Sequence, residues 1–187
     1  SNENPFGVVI HNFDFKEILI KKAQSLGLTI YNHKVEDITQ NESFAEIENK
    51  KYKLVFDCTG KKKKQSVISI DYNQTAFVFN ILHTAEHKNI AVESFNPQGP
   101  LAILPTKEAF NSAVIWSVKS DSANFLSTLK KAEFLEVFKS YLGRMGHVGE
   151  VTKITSIIKS YPLSLTFDKN TSNGRIVKIG DALNSIH

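Results

Sequence analysis

The pattern of apolar residues switches from strand-like to helix-like and back along the chain, and this switch most constrains the fold. Segments rich in β-branched and aromatic residues predict strands at 75–84, 90–95, 101–104, 113–119 and 151–158. Between residues 121 and 142 the apolar residues recur at helical spacing, which predicts two short helices. An antiparallel sheet with helices on one side is the simplest packing of this pattern, so we predict an α+β fold.

The N-terminal part predicts one helix followed by a small β-rich segment. The helix is expected to begin at Asn12 or Asp14 and to stop at Gly27. Its predicted buried face consists of Phe15, Ile18, Leu19, Ala23 and Leu26. Short strands are predicted at 8–10, 28–31, 35–38, 44–47 and 52–56.

The C-terminal part places a carboxylate at a turn between two predicted elements. Residues 176–179 form a short apolar run that suits a buried strand, and Gly180 and Asp181 then turn the chain. Residues 182–186 are predicted as the first turn of a helix capped by Asp181. A carboxylate and free backbone N–H groups at one point suit a polar ligand. Because the sequence stops soon afterwards, we expect this chain to carry only part of that ligand's site.

Composition excludes several classes of protein. The net charge of +4 is weak evidence for nucleic acid, because the excess comes largely from the run of lysines at 61–64. That run is interpreted as a solvated loop, with attraction to an anionic membrane surface as the alternative. A single cysteine, Cys58, excludes an internal disulfide framework and fits a cytoplasmic protein. The histidines lack the paired spacing of a metal site, so no metal is expected.

Several motifs resemble those of one enzyme family. Residues 95–105, which read Phe-Asn-Pro-Gln-Gly-Pro-Leu-Ala-Ile-Leu-Pro, resemble the F-x-P-x-G-P-x-A-x-L-P stretch of the ubiquinone-biosynthesis hydroxylases. These are FAD-dependent aromatic monooxygenases with the para-hydroxybenzoate hydroxylase fold. Further similar motifs follow the family's order along the chain, at 72–76, 114–117, 161–163 and 180–182 with His187. The resemblance therefore extends over nearly the whole chain.

The resemblance implies a domain organisation. Residues 1–66 and 166–187 would be pieces of a Rossmann-like FAD-binding domain, in an α/β parent. Residues 67–165 would form the antiparallel sheet of the substrate-binding domain, with its flanking helices. The G-x-G-x-x-G segment that cradles the ADP part of FAD does not occur in this sequence. We therefore expect an internal fragment that alone binds FAD weakly or not at all and has no oxygenase activity.

The resemblance also implies roles for individual residues. Asp181 would hold the ribityl chain of FAD, and Gly180 would let the backbone approach the cofactor. The other residues expected at the cofactor are Ala182, His187, Gly60 and Lys16, and those expected at the substrate are Gly99, Pro100, Leu104 and Pro105. Two plainer interpretations stay open, namely Asp181 as an ordinary helix cap and Gly99-Pro100 as an ordinary β-turn. Trp116 is predicted to belong to the sheet core.

The implied function is hydroxylation of a polyprenylated aromatic precursor of ubiquinone. Reduced FAD would react with O₂, and NAD(P)H would be the electron donor. Expected partners are the polyprenylated phenol, other ubiquinone-biosynthesis proteins and the membrane surface, to which a cytoplasmic enzyme would attach peripherally.

The sequence departs from the family at four positions, which are Thr59, Lys63, Lys16 and Asn184. These departures motivate the alternative of a degenerate, non-catalytic homologue that binds lipid or scaffolds the biosynthetic complex.

Overall fold

A computed structural model describes residues 7–60, 67–143 and 146–186. The helices are α1 (Asn12–Ser25), α2 (Ser120–Thr128) and α3 (Lys131–Leu142), with 3-10 turns at Gly146–Val148 and Gly180–Ala182. The strands are β1 (Thr39–Gln40), β2 (Ala45–Ile47), β3 (Lys50–Tyr52), β4 (Val55–Asp57), β5 (Val67–His83), β6 (Val92–Ser94), β7 (Leu101–Pro105), β8 (Asn111–Lys119), β9 (Val151–Ile154), β10 (Lys159–Asp168), β11 (Ser172–Asn173), β12 (Ile176–Lys178) and β13 (Asn184–Ser185). The predicted α+β class is confirmed.

The chain divides into two compact units. The first unit contains the described residues of Ser1–Thr29 together with Asn73–Pro162. The second unit contains the described residues of Ile30–Tyr72 and Leu163–His187. The assignment of residues 67–165 to a substrate domain and of 1–66 and 166–187 to an FAD domain stays a prediction.

The first unit is an antiparallel sheet whose two faces differ. Strand β5 pairs with β8, β8 with β7, and β7 with β6, while β9 also pairs with β5. The register sets Trp116 opposite both Phe77 and Leu101, so that these large side chains share one face. Because side chains alternate along a strand, the neighbours Val78 and Ile115 lie on the other face and are partly exposed.

Helices α2 and α3 cover the face that carries Trp116. The ring of Phe134 on α3 lies 5.3 Å from Phe77, 5.4 Å from Phe79 and 5.7 Å from Trp116, measured between ring centroids. Edge-to-face contacts of this kind add to the stabilisation that burial of the rings provides. Trp116 is 1% exposed, which confirms its predicted place in the core. The two predicted helices and their side of the sheet are also confirmed.

Helix α1 is confirmed, but its predicted buried face is wrong. The helix ends in a Schellman motif, in which Gly27 takes a φ of +76° and the N–H groups of Gly27 and Leu28 reach back to the carbonyls of Gln24 and Ala23. No residue of α1 is buried, and the exposed fractions of Phe15 and Ile18 are 46% and 56%. The spacing showed which side chains share a face, and no described residue of the chain buries that face.

The second unit consists of short strands. Strands β1, β2 and β3 form an antiparallel sheet, and β10 pairs with β13. Strand β12 pairs antiparallel with β11 on one side and parallel with β4 on the other. The Arg175 side chain donates to the carbonyl of Glu42, and Gln40 Oε1 accepts the Arg175 N–H at 2.8 Å, which joins the small sheets to each other.

Four other element predictions are wrong. Residues 8–10, 28–31 and 35–38 are not strands. Residues 182–186 do not begin a helix, because a 3-10 turn ends at Ala182 and β13 follows with Asn184 opposite Phe167 of β10. Pairing with β10 satisfies backbone groups that a helix would otherwise have satisfied. In the described parts of the chain, no helix is long and apolar enough to cross a membrane.

Candidate functional site

Two of the predicted cofactor motifs meet at one edge of the second unit. Strands β4 and β12 run parallel, with Phe56 opposite Val177 and Asp57 opposite Lys178. The carboxyl ends of parallel strands lie at the same edge of a sheet. Gly60 follows the end of β4, and the Gly180–Asp181 turn follows the end of β12. We call this the β4–β12 edge.

Hydrogen bonds hold the two chain segments together at the β4–β12 edge. The N–H of Ile179 donates to the carbonyl of Asp57 over 3.1 Å, which extends the pairing beyond β12. Asp57 is 9% exposed, and its Oδ1 accepts the backbone N–H of Thr59 at 3.1 Å and the Thr59 hydroxyl at 2.5 Å. Asp57 therefore fixes the loop that leads to Gly60. This anchoring role was missed in the sequence, where Asp57 sits two residues from the family's aspartate position.

The Gly180–Asp181 turn presents accessible backbone and an accessible carboxylate. Gly180 has a φ of +60° and Gly60 a φ of +83°, the left-handed region that favours glycine. A methyl group built on either glycine would meet no atom within 4 Å, so a ligand can approach both backbones. The Asp181 side chain is exposed and has no hydrogen-bond or ion-pair partner within the described part of the chain. Asp181 is not a helix cap, since it lies inside the 3-10 turn Gly180–Ala182, which β13 follows.

A buried ion pair supports the strand from which this turn emerges. The Lys178 ammonium pairs with Asp168 Oδ2, and these side chains are 14% and 3% exposed. Asp168 Oδ1 also accepts the N–H of Asn170 at 3.0 Å, and the Asp168 N–H donates to the carbonyl of Leu183 at 2.8 Å. These contacts fix both ends of the segment that contains Gly180 and Asp181.

The residues at the β4–β12 edge fit part of an FAD molecule. A polyol such as the ribityl chain offers hydroxyl donors, and an uncommitted carboxylate is an acceptor for them. Open glycine backbones allow such a chain to lie close to the protein. Among the predicted cofactor residues, the structure brings Gly60, Gly180, Asp181 and the half-buried Ala182 into the second unit. Lys16 lies exposed on α1 in the first unit, and His187 and Lys63 lie outside the described residues.

The predicted substrate residues lie in the first unit, on and before β7. Gly99 is buried with a φ of +134°, and a Cβ there would lie 2.2 Å from the carbonyl oxygen of Ser117. The Ser117 N–H donates to the carbonyl of Pro100 at 2.9 Å, so the 96–100 turn is fixed directly on β8. The turn itself is confirmed. Leu104 and Pro105 are half-buried and, as neighbours on a strand, face opposite sides of the sheet.

A cluster of histidines in the first unit was missed in the sequence. His83 is 3% exposed; its Nδ1 donates to the carbonyl of Ala85 at 2.8 Å, and its Nε2 lies 2.9 Å from the Ser112 hydroxyl. Burial lowers the pKa of His83, and the nearby imidazoles of His87 and His147 lower it further, against the opposing effect of the Ala85 carbonyl. His83 is therefore a neutral core residue. Only the fold, which brings His147 close to the segment 83–87, reveals this cluster.

No metal centre is found in the described ranges, where no three His, Cys, Asp or Glu side chains are placed to hold an ion. Cys58 is exposed and free. The β4–β12 edge of the second unit and the Leu104 face of the first unit are each candidate regions, and each is described by itself.

Solved structures show which proteins share this fold. The myxobacterial chondrochloren halogenase CndH, an FAD-dependent halogenase, superposes with a TM-score of 0.74 at 12% identity, over 97% of this chain and 47% of that chain. A flavoprotein/dehydrogenase from Cytophaga hutchinsonii gives a TM-score of 0.72 at 10% identity, over 97% of this chain and 49% of that one. The fold is that of a region of FAD-dependent monooxygenase-like flavoproteins.

Sequence comparison gives the more particular likeness. The ubiquinone hydroxylase UbiL of Rhodospirillum rubrum is 32% identical over 119 residues, which cover 64% of this chain and 27% of that protein. The mitochondrial ubiquinone biosynthesis monooxygenase COQ6 of Mus musculus is 24% identical over 151 residues, 64% of this chain and 32% of that protein. No protein-family profile matches the chain. The predicted resemblance to the ubiquinone-biosynthesis hydroxylases is confirmed, and the chain spans about a third or less of the curated relatives it matches.

Proposed function

We propose that this chain forms part of a flavin-dependent monooxygenase that hydroxylates the aromatic ring of a polyprenylated ubiquinone precursor. The observation that carries the proposal is the β4–β12 edge, where two open glycine backbones and an uncommitted carboxylate lie together. The likeness to UbiL and COQ6, whose names describe ubiquinone hydroxylation and biosynthesis, supports the substrate class.

In this proposal the second unit holds the middle of the cofactor. When bound and reduced, FAD supplies the transfer of one oxygen atom from O₂ to an electron-rich ring. Asp181 accepts hydrogen bonds from the ribityl hydroxyls, while Gly60 and Gly180 admit the cofactor to van der Waals contact with the backbone. Asp57 positions the Gly60 loop through Thr59 and does not itself contact the cofactor.

The first unit would supply the substrate wall. Its uncovered sheet face carries Val78, Ala102, Leu104 and Ile115, which are apolar and partly exposed. An apolar wall binds an aromatic ring and excludes water from it. Pro100 and Gly99 fix the start of β7 and so determine where Leu104 lies on that face.

The remaining partners are also part of the proposal. The electron donor is NAD(P)H, and the enzyme is cytoplasmic and attaches peripherally to the membrane that holds its prenylated substrate. Contacts with other ubiquinone-biosynthesis proteins belong to the same hypothesis.

The test is the flavin content of the full-length natural protein. Replacing Asp181 removes hydrogen bonds to a charged acceptor, so Asp181→Ala should weaken FAD binding roughly ten- to a hundredfold. Flavin absorbance per mole of purified protein measures the effect. The matched control is Asp37→Ala, which removes another exposed carboxylate of the same unit. Equal FAD affinity in both variants, or a full-length wild type that takes up no FAD, would contradict the proposal.

A non-catalytic homologue is the second candidate. Two departures from the family favour it. Thr59 stands at the position of the family's aspartate, and its hydroxyl donates to Asp57. Asn184 is the second departure and lies in β13. The full-length gene should restore quinone synthesis in a hydroxylase-deficient strain if the enzyme is active. Stable FAD binding without restoration would favour the non-catalytic role.

A further inference from the structure

A pocket with a volume of about 340 Å³ lies between α2 and α3 in the first unit. Each helix contributes two side chains that are four residues apart, Asp121 and Phe125 on α2 and Val137 and Tyr141 on α3. Residues at this spacing lie on one face of a helix, so each helix turns one face to the pocket. Leu126, which is 4% exposed, adds a buried apolar surface. The proposed function does not use this pocket.

Two aromatic rings that line the pocket are accessible. Phe125 is 59% exposed, and Tyr141 is 38% exposed. The Tyr141 ring is held in place by Trp116 of the core, at 5.0 Å between ring centroids. The face of an aromatic ring carries partial negative charge and attracts a cation placed over it. The two rings therefore favour a ligand that is positively charged and has apolar surface.

The charge of the pocket points to the same class of ligand. Asp121 is the only charged side chain among the described residues that line it. The Asp121 carboxylate has no hydrogen-bond or ion-pair partner within the described part of the chain. Lys119, which precedes α2, forms no ion pair there, and Lys139 on α3 is engaged with Glu136 at 3.0 Å. The negative charge is therefore left for a ligand to neutralise.

Two hydroxyl groups of the pocket are uncommitted as well. The hydroxyls of Ser122 and Tyr141 form no hydrogen bond with any other described residue. A hydroxyl both donates and accepts, so these groups can bind a polar substituent that lies close to the cationic centre of a ligand.

The size and lining of the pocket restrict the ligand further. Its volume is near the lower end of the roughly 300–1,000 Å³ that is usual for small-molecule sites. A bare metal ion is not favoured, because hard cations need several oxygen ligands and the described residues contain no group of acidic or histidine side chains placed to hold one. A compact organic cation matches both the single carboxylate and the aromatic rings.

We propose that the pocket between α2 and α3 binds a small alkylammonium ion. The cationic group lies against the rings of Phe125 and Tyr141 and pairs with the Asp121 carboxylate, while Leu126 and Val137 contact the alkyl groups. This site and the proposed flavin chemistry are independent, so failure of one leaves the other intact.

The test titrates the 187-residue chain with choline chloride. The matched control ligand is 3,3-dimethylbutan-1-ol, which has the shape and the hydroxyl of choline but carries carbon in place of the charged nitrogen. Calorimetry measures the affinity, and the fluorescence of Trp116, the single tryptophan, provides a second signal because its ring contacts Tyr141. Choline should bind saturably, and the alcohol should bind at least about tenfold more weakly, since it lacks the attraction to the rings and the carboxylate.

Variants separate the contributions of charge and ring. Asp121→Asn keeps the size of the side chain and should weaken choline binding about tenfold. Phe125→Ala should weaken it about fivefold. The controls are Glu93→Gln and Phe95→Ala, which remove an exposed carboxylate and an exposed ring of the same unit that do not line the pocket. These controls should bind choline as the wild type does.

A further variant distinguishes loss of charge from a change in folding. Asp121→Glu keeps the carboxylate and should retain most of the affinity for choline, and urea denaturation compares its stability with that of Asp121→Asn. Absence of saturable choline binding, equal affinities for choline and the alcohol, or unchanged choline binding in Asp121→Asn would overturn the proposal. Equal losses in the pocket variants and in their controls would also overturn it.

Discussion

The two units of this chain are stabilised by different means. The first unit contains a core cluster of large side chains that includes Trp116, Phe79, Phe134 and Phe138, each 1% exposed or less. In the second unit, Ala45 is the one fully buried apolar residue among those described, whereas the carboxylates of Asp57 and Asp168 are buried. Apolar packing thus holds the first unit, and polar contacts hold the second.

This difference shows that the two kinds of contact hold different parts of a structure. Apolar burial is non-directional and fills a core, whereas hydrogen bonds and ion pairs fix particular backbone atoms. The polar contacts of Asp57 and Asp168 hold the loops on either side of the β4–β12 edge, where the backbones of Gly60 and Gly180 are open. The aromatic core of the first unit instead keeps a broad sheet face in place.

The largest expected effect comes from the aromatic core. Phe134→Ala should destabilise the first unit by about 3–5 kcal/mol, because it removes a ring that contacts three others and leaves a cavity. Urea denaturation followed by Trp116 fluorescence measures the change. Phe125→Ala on the exposed side of α2, where Phe125 is 59% exposed, is the control and should cost little. Similar losses in both variants would show that the stability of the first unit does not depend on its aromatic core.

The next effect concerns the polar second unit. Lys178→Met removes the cation from a carboxylate that is 3% exposed and should destabilise the region by about 3 kcal/mol. Hydrogen exchange should accelerate at 163–186 and stay unchanged in α3. Lys169→Met, an exposed neighbour, provides the comparison. Unchanged exchange at 163–186 in Lys178→Met would show that the ion pair does not support this unit.

The smallest effect is a pH dependence confined to the first unit. The folded-state pKa of His83 is lowered, so the unfolded chain, with a histidine pKa of about 6.5, binds the proton more readily. The contribution of neutral His83 to the free energy of unfolding should be complete above about pH 6.5. Below that pH the free energy of unfolding should decrease by at most about 1.4 kcal/mol per pH unit. Denaturation midpoints across this range measure the slope.

His83→Gln should flatten that slope, since the titrating group is lost. His33→Gln serves as the control, because His33 is partly exposed beside Glu48 in the second unit. A slope that persists in His83→Gln would assign the pH dependence to other groups.

Local periodicity sufficed to predict much of the first unit and less of the second. Strands β7 and β8 and helices α2 and α3 have strong patterns, and the structure confirms them. Strand β10 was missed because Pro162 and the polar residues around it interrupt the strand pattern, although pairing with β13 stabilises it. In α1 the spacing identified a face, but which surface covers a face is a tertiary property.

The sequence predicted individual residues of the candidate site but not that they lie at one edge of a sheet. The motifs singled out Gly60, Gly180 and Asp181, but only the parallel pairing of β4 with β12 places them at one edge. The motifs did not single out Asp57, whereas its hydrogen bonds to Thr59 give it a structural role. Hydrogen bonds between neighbouring residues of this kind depend on side-chain geometry that spacing does not encode.

The close approach of Gly99 to Ser117 limits which residues position 99 can accept. Any side chain at position 99 would collide with the Ser117 carbonyl oxygen, so the backbone route from β6 into β7 tolerates no change there. Sequence drift or engineering that reshapes the neighbouring sheet face can instead act through side chains on that face, such as Ala102 and Leu104. Position 99 thus keeps the backbone constant, while side chains on the adjacent sheet face can change.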